Sequence, residues 1–329
     1  MVNLMIKRWY GIYRKQDSFF GIMIAFLVAV ILAAFSPYFF TISNLDSLQT
    51  SIAPNVILAI GMMMLMIMGK FDLSVGSSMC LSGIASAYCL SRGMGITVSI
   101  LAGLGVGVLI GSINGVLVAY GKIEPLIATI GTMYVFRGIS EMIMTSAIAT
   151  TLRGFPESFI ALGNKKILGI YPMVWICIFL LLLFGIVLKK TYIGKKNYYI
   201  GCSAANAVLM GINVKFHLFI FYIISAVLAS TAGILSVARY ETASRYLGKD
   251  IQMNIMIACI IGGGSLLGGK GDMLGALFGT LFISLLSNGF NLFEINPQWQ
   301  NVTIGGILLL VVAADGYVYL KRLKQQGKA

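Results

Sequence analysis

Ten stretches of mostly apolar residues follow one another with little between them along the 329-residue chain. They fall at 19–37, 50–69, 72–91, 95–119, 125–145, 170–188, 216–238, 251–267, 273–292 and 301–319. Each approaches the length, about 20 residues, that carries an α-helix across a bilayer. Only 11% of the residues are charged and 58% are apolar, whereas a soluble domain carries about 25% charge. Folded in water, such a chain could not cover its surface with polar groups. The expected fold is therefore an all-α integral membrane protein of about ten transmembrane helices. The break at Gly69–Asp72 reads as a hairpin or a kink, and 251–267 is short enough to be re-entrant. The expected organisation is one membrane domain, 19–319, between a cytoplasmic N-terminal tail, 1–18, and a cytoplasmic C-terminal tail, 320–329. The apolar run from Phe19 is too long for a cleavable signal and no A-x-A site follows it, so it is expected to be the first span.

Charge supplies the orientation. With both termini in the cytoplasm, sixteen of the 24 Lys and Arg residues lie on the cytoplasmic side and seven outside, with Arg137 inside a span. The positive-inside rule favours this arrangement, and the formal net charge of +13 needs no nucleic-acid partner to explain it. The five cysteines are scattered and His217 is the only histidine, so no metal site is expected and the cysteines read as packing residues.

The stretch GGGSLLGGKGD, Gly262–Asp272, is one residue short of a phosphate-binding loop. That pattern needs a preceding strand and a Ser or Thr for Mg²⁺. Gly271 stands where the hydroxyl would be, and the stretch falls between two spans. It reads instead as a tight helix–helix connection in which Gly262, Gly263, Gly264, Gly268, Gly269 and Gly271 allow positive φ and close backbone approach. Separately, AGLGVGVLIGSINGVLV (102–118) echoes GALFGTLFISLLSNGFNLF (275–293), with glycines four apart and then Asn-Gly. The echo fits two inverted-topology repeats, spans 2–5 and 7–10, and fits equally the small-xxx-small spacing of packed membrane helices.

Polar residues in spans are costly and face a cavity or the protein interior. Arg137 and Glu141, four apart on one helix face, can pair, either lining a transport path or forming a structural ion pair. Asn114, Asn288 and Asn291 could bond sugar-like hydroxyls or hold helices together. Asp72, just before Ser74, suits a helix cap or a ligand contact. These seven residues are the candidate translocation path. The longest cytoplasmic loop, 189–215, contains a short helix from Ser203 to Met210, capped by the serine and stopped at Gly211.

Four stretches together resemble the permease subunits of ATP-binding-cassette sugar importers, in the ribose/autoinducer branch of the branched-chain-permease-like superfamily. They are GKFDLSVGSSMCLSGIASA (69–87), EPLIATIGTMYVFRGI (124–139), YYIGCSAANAVLMGINVK (198–215) and IGGGSLLGGKGDMLGALFGTL (261–281). The resemblance implies a subunit of a bacterial inner-membrane importer that hydrolyses nothing itself and binds no cofactor, ATP and Mg²⁺ being held by a partner ATPase. It further implies an extracytoplasmic solute-binding protein, a second permease chain, identical or different, and a lipid surround. The stretch matching the family's coupling segment places Gly201, Ser203, Ala204, Ala205, Leu209, Gly211 and Ile212 at the ATPase contact. Ala204, Ala205 and Val208 stand where that segment usually carries charge, so docking here would rest on apolar contacts. Lys70 and Glu124 also depart from the pattern, where glycine and proline are usual. The competing reading is an ion-coupled secondary transporter using Arg137 and Glu141. An integral-membrane enzyme would need a cluster of carboxylates or histidines that the chain lacks.

Overall fold

A computed structural model describes residues 19–146, 151–296, 298–307, 309, 310 and 313. The two tails and most of 308–319 lie outside the described residues. The helices in chain order are α1 (Phe19–Phe35), α2 (Ile42–Ile67), α3 (Val75–Ser91), α4 (Ile96–Gly115, continued by a π-turn to Tyr120), α5 (Pro125–Ser146), α6 (Glu157–Asn164), α7 (Pro172–Lys190), α8 (Tyr192–Cys202), α9 (Ala204–Leu209), α10 (Val214–Tyr240), α11 (Ile251–Ile261) and α12 (Met273–Leu292). Residues 298–307 are again helical. Among the described residues, α2, α4, α5, α7, α10 and α12 are long and apolar enough to cross a membrane, and α1, α3 and α11 are shorter apolar helices.

The bundle is built around α2 and α10. In the most apolar stretch of α2, 83% of residues are buried, against 17% in α7. A helix that is apolar all round and buried all round is a central one. An apolar helix left mostly uncovered presents its side chains to lipid.

Lipid is as apolar as leucine, so burying side chains does little to join helices there. Close packing and hydrogen bonds must do it. The seam between α4 and α10 shows how. Gly107 lies under Ala226 and Ser230, and a Cβ on Gly111 would stand 2.6 Å from the Ile223 Cα and 2.8 Å from the Tyr222 carbonyl. The second half of the glycine echo has the same use: Gly275 and Gly279 let α12 meet the backbone of α11 at Gly262 and Ala258.

Several expectations are corrected. The fold is all-α as expected, with one small addition: Thr151–Leu152 and Ala243–Ser244 form a two-stranded antiparallel ladder of two residues each. Helix α2 begins eight residues earlier than hydropathy suggests, because the Thr41 hydroxyl accepts from the Asn44 amide and starts it through polar sequence. Helix α11 ends six residues early, where the glycines of 262–271 take over. The 189–215 loop carries a second helix, α8, whose buried residues Gly194, Asn197 and Ile200 repeat every three positions.

At the end of the bundle that holds residues 35–42, 164–172 and 240–246, here the apical end, Lys166 and Asp46 form a 2.7 Å ion pair, the only salt bridge among the described residues. The hydrogen bond to the Asp46 carboxylate raises the pKa of Lys166. The pair is exposed and contributes little to stability.

Substituting Gly111→Leu is expected to lower the thermal midpoint of the detergent-solubilised protein by several degrees, since overpacking costs about 1–3 kcal/mol or more. Gly105→Leu, where a Cβ meets open space, should leave it unchanged. Equal effects measured by a thermal-shift assay would refute the seam.

Candidate functional site: a broken-helix core between a polar cleft and a glycine junction

Helices α3 and α11 are both short, and both follow a non-helical approach, 68–74 and 245–250. The two approaches meet. Gly76 and Gly248 face each other backbone to backbone: a Cβ on Gly248 would stand 2.7 Å from the Gly76 carbonyl, and one on Gly76 would overlap the Gly248 carbonyl. Irregular backbone inside a membrane is tolerated only where protein buries it or a cavity receives it, and here each approach is held by polar side chains.

Asp72 holds the first. It is fully buried, and its Oδ1 accepts from the Ser74 amide at 2.8 Å and the Ser74 hydroxyl at 2.6 Å. Asn114 on α4 donates to the Ser74 Oγ at 2.7 Å and, more weakly, to Asp72 Oδ1 at 3.4 Å. Thr132 on α5 closes the network by donating to Asn114 Oδ1 at 2.7 Å. The Tyr222 hydroxyl on α10 donates to the Phe71 carbonyl at 3.0 Å. Asp72 Oδ2 has no partner.

Arg137 holds the second. Its guanidinium donates to the carbonyls of Arg245 at 3.0 Å, Leu247 at 2.9 Å and Gly248 at 3.1 Å. Glu141 is exposed and makes no ion pair with Arg137. The i, i+4 spacing puts both on one stripe of α5, but three carbonyls that α11 leaves outside its ladder outcompete one solvated carboxylate for the guanidinium. Arg137 stands about 18 Å along α5, near its middle, at 1.5 Å per residue. The segment 245–250 therefore dips deep into the bundle instead of lying in an outer loop.

Beside this segment opens a cleft of about 260 Å³, lined by Asn55 of α2, Tyr246, Lys249, Asn254 of α11, and Thr280 and Ser287 of α12, with Gly248 in its wall. The lining combines amides, hydroxyls and the Lys249 ammonium with the aliphatic side chains of Ile251, Ile255, Ala258 and Ile283, and contains no carboxylate. None of the seven candidate path residues lines it. Arg137 touches its wall from behind. Asn288 instead pairs with Asn44, donating at 2.6 Å, and ties α12 to α2, while Asn291 is exposed. Asn55 and Asn254 carried the same signal as Asn114, a lone amide in an apolar run. Thr132 sits in the stretch 124–139 with no period to single it out.

At the opposite, basal end of the bundle the glycine-rich loop joins two other segments. The Gly269 amide donates to the Ile67 carbonyl at 2.8 Å, and the Tyr198 hydroxyl of α8 to the Gly271 carbonyl at 2.9 Å. A Cβ on Gly268 would stand 2.8 Å from the Gly69 nitrogen and 2.9 Å from the Gly201 carbonyl. Gly262–Asp272 thus runs from α11 to α12, with Gly263, Gly268, Gly269 and Gly271 at positive φ. Gly264 packs on Met63. Ser203 ends α8 and caps α9, its hydroxyl accepting from the Asn206 amide at 3.2 Å. Ala204 and Ala205 are exposed on α9, Gly211 turns at φ 77° and Ile212 is buried beneath. Val208, Leu209 and Met210 project outward, Leu209 at 86% exposure.

A multi-pass helical bundle with a polar cleft, and an apolar knob on a pair of surface helices, suits a membrane permease. Residues 44–312 match the model of the branched-chain amino acid transport system permease component, and the chain belongs to that family. It is 34% identical over 313 residues to the ribose import permease protein of Haemophilus influenzae, covering 94% of this chain and 95% of that one. It is 34% identical over 310 residues to a probable ABC transporter permease protein of Sinorhizobium fredii (94% and 92%), and 32% identical over 302 residues to the D-allose transport system permease protein of Escherichia coli (92% and 91%). No solved structure matches the chain significantly.

Arg137→Met is expected to lower the thermal midpoint and expose 245–250 to protease, because charge-assisted hydrogen bonds are worth about 1.5–3 kcal/mol each. Glu141→Gln should do neither. Matching losses in the two variants would restore the ion pair.

Proposed function

We propose that this chain is the membrane-spanning subunit of an ATP-driven importer for a sugar or sugar-like solute. The observation that carries the reading is the pairing of a hydrogen-bonding cleft free of carboxylates with an exposed apolar knob, in a chain matched over more than nine-tenths of its length by sugar-import permeases. A 260 Å³ cleft of amides and hydroxyls suits a polyhydroxylated solute. The knob of Val208, Leu209 and Met210 suits an ATPase partner that binds without charge pairing.

In this reading the chain crosses a bacterial inner membrane ten times with both termini in the cytoplasm, so the basal end is cytoplasmic. Residues 19–319 form one permease domain. ATP and Mg²⁺ sit in the ATPase, a solute-binding protein docks at the apical end, and a second permease chain completes the path. Two features support inverted repeats of spans 2–5 and 7–10. The short helices α3 and α11 take corresponding places and meet at Gly76 and Gly248, and α4 packs on α10 as α12 packs on α2. Each state of the path must bind the ATPase differently, or hydrolysis could not drive the change.

One observation favours ion coupling as a second reading: Asp72 is the only fully buried carboxyl among the described residues. Energy source separates the two. Uptake is expected to require the ATPase and to survive an uncoupler, and the reverse pattern would establish ion coupling. Leu209→Asp should abolish co-purification with the ATPase and reduce uptake at least tenfold while leaving membrane insertion intact. Normal uptake in that variant would refute the docking surface.

A further inference from the structure

Residues 68–76 touch both functional regions. At the basal end, the Ile67 carbonyl and Gly69 are packed against Gly201 of α8 and against Gly268 and Gly269. Seven to nine residues on, Gly76 is packed against Gly248 in the cleft wall, and a Cβ there would also stand 2.9 Å from Gln252 Oε1 of α11. Both contacts are backbone on backbone, with no side chain between to absorb a displacement by changing rotamer. Interiors packed this closely transmit strain. Between the two ends the segment is pinned by Asp72 and Ser74 to Asn114 of α4, and next to them by the Tyr222 hydroxyl of α10 on the Phe71 carbonyl.

The pin is incompletely satisfied. Asp72 Oδ2 is buried without a partner while Oδ1 collects every donor within reach. Leaving a buried charged or polar oxygen unpaired costs about 1–3 kcal/mol or more, so the carboxyl holds the segment through Oδ1 alone.

Resting on the importer reading, we propose that 68–76 is the strap that carries displacement of the α8–α9 surface to the cleft, and that Asp72 is its positioning residue. Motion of α8 shifts Ile67 and Gly69 through the glycine junction. The strap turns about the Asp72–Asn114 pin, and Gly76 moves Gly248 and with it the cleft wall. Asp72 touches no solute and acts through the strap alone.

The test needs no knowledge of the solute. With the accessible native thiols removed by Cys89→Ser and Cys202→Ser, Lys249→Cys places a thiol in the cleft, and its labelling by a membrane-impermeant maleimide reports access. In the permease–ATPase complex in vesicles, ATP with vanadate is expected to change that labelling rate by about tenfold, within the ordinary range of coupling. No change in this parent complex would refute the importer reading itself. On the Lys249→Cys background, Asp72→Ala should retain ATPase co-purification and ATP hydrolysis but lose the labelling change, to less than about twofold by the same measure. Asp72→Asn, which keeps an acceptor for Ser74, should restore most of it. A full nucleotide-dependent change in Asp72→Ala would overturn the strap. If Asp72→Ala is not recovered as a complex, Asn114→Ala, which cuts the pin on the α4 side, is read the same way, and an intact response there overturns it equally.

Discussion

The structure depends on backbone meeting backbone. In water, a core forms because apolar side chains leave the solvent. In lipid that drive is absent between helices, and association rests on contact and hydrogen bonding. This chain answers with glycine at its principal crossings: Gly107 and Gly111 between α4 and α10, Gly275 and Gly279 between α12 and α11, Gly76 against Gly248, and Gly201 and Gly268 at the basal junction. At each, one methyl group would force the elements apart. At these crossings glycine serves close packing rather than flexibility.

Close packing also makes interrupted helices affordable. Where α3 and α11 begin late, their approach segments expose carbonyls and amides that lipid cannot satisfy. Asp72, Ser74 and Asn114 satisfy one approach and Arg137 the other, and both networks are anchored on α5, through Thr132 and Arg137. The few intramembrane polar groups serve the broken helices first. The cleft opens beside one of those breaks, where backbone, amide and hydroxyl groups are already gathered.

Much of this was legible in the sequence. Apolar runs located the helices, because that signal survives in any lipid-facing or buried span. Ser203 and Gly211 bounded α9 because caps and positive-φ stops are local. Asp72, Ser74 and Asn114 were singled out separately as costly polar groups, and the fold gathers them into one network. What could not be read was partnership. Arg137 and Glu141 looked like a pair because helical spacing is visible in sequence, whereas the carbonyls of 245–248 compete from a hundred residues away. Asn288 could be read as a solute contact or as a tie between helices, and its partner in an amide pair, Asn44, lies 244 residues away. Helix α8 was missed because its three-residue period is carried by Gly194 and Asn197, which hydropathy does not count.

The central claim is that α8, the end of α2 and the glycine-rich loop move as one body. The free thiol of Cys202 lies 3.1 Å from where a Cβ on Gly269 would stand, close to the Cβ–sulfur separation across a disulfide. Gly269→Cys, at a φ of 77° that strains any side chain, can therefore reach Cys202, and ATP-driven uptake by this variant is compared in the same vesicles before and after reduction. The account predicts that oxidised and reduced protein transport at the same rate, since the bond joins parts that never separate. Transport that stops on oxidation and returns on reduction would show that the junction opens during the cycle, and would contradict it.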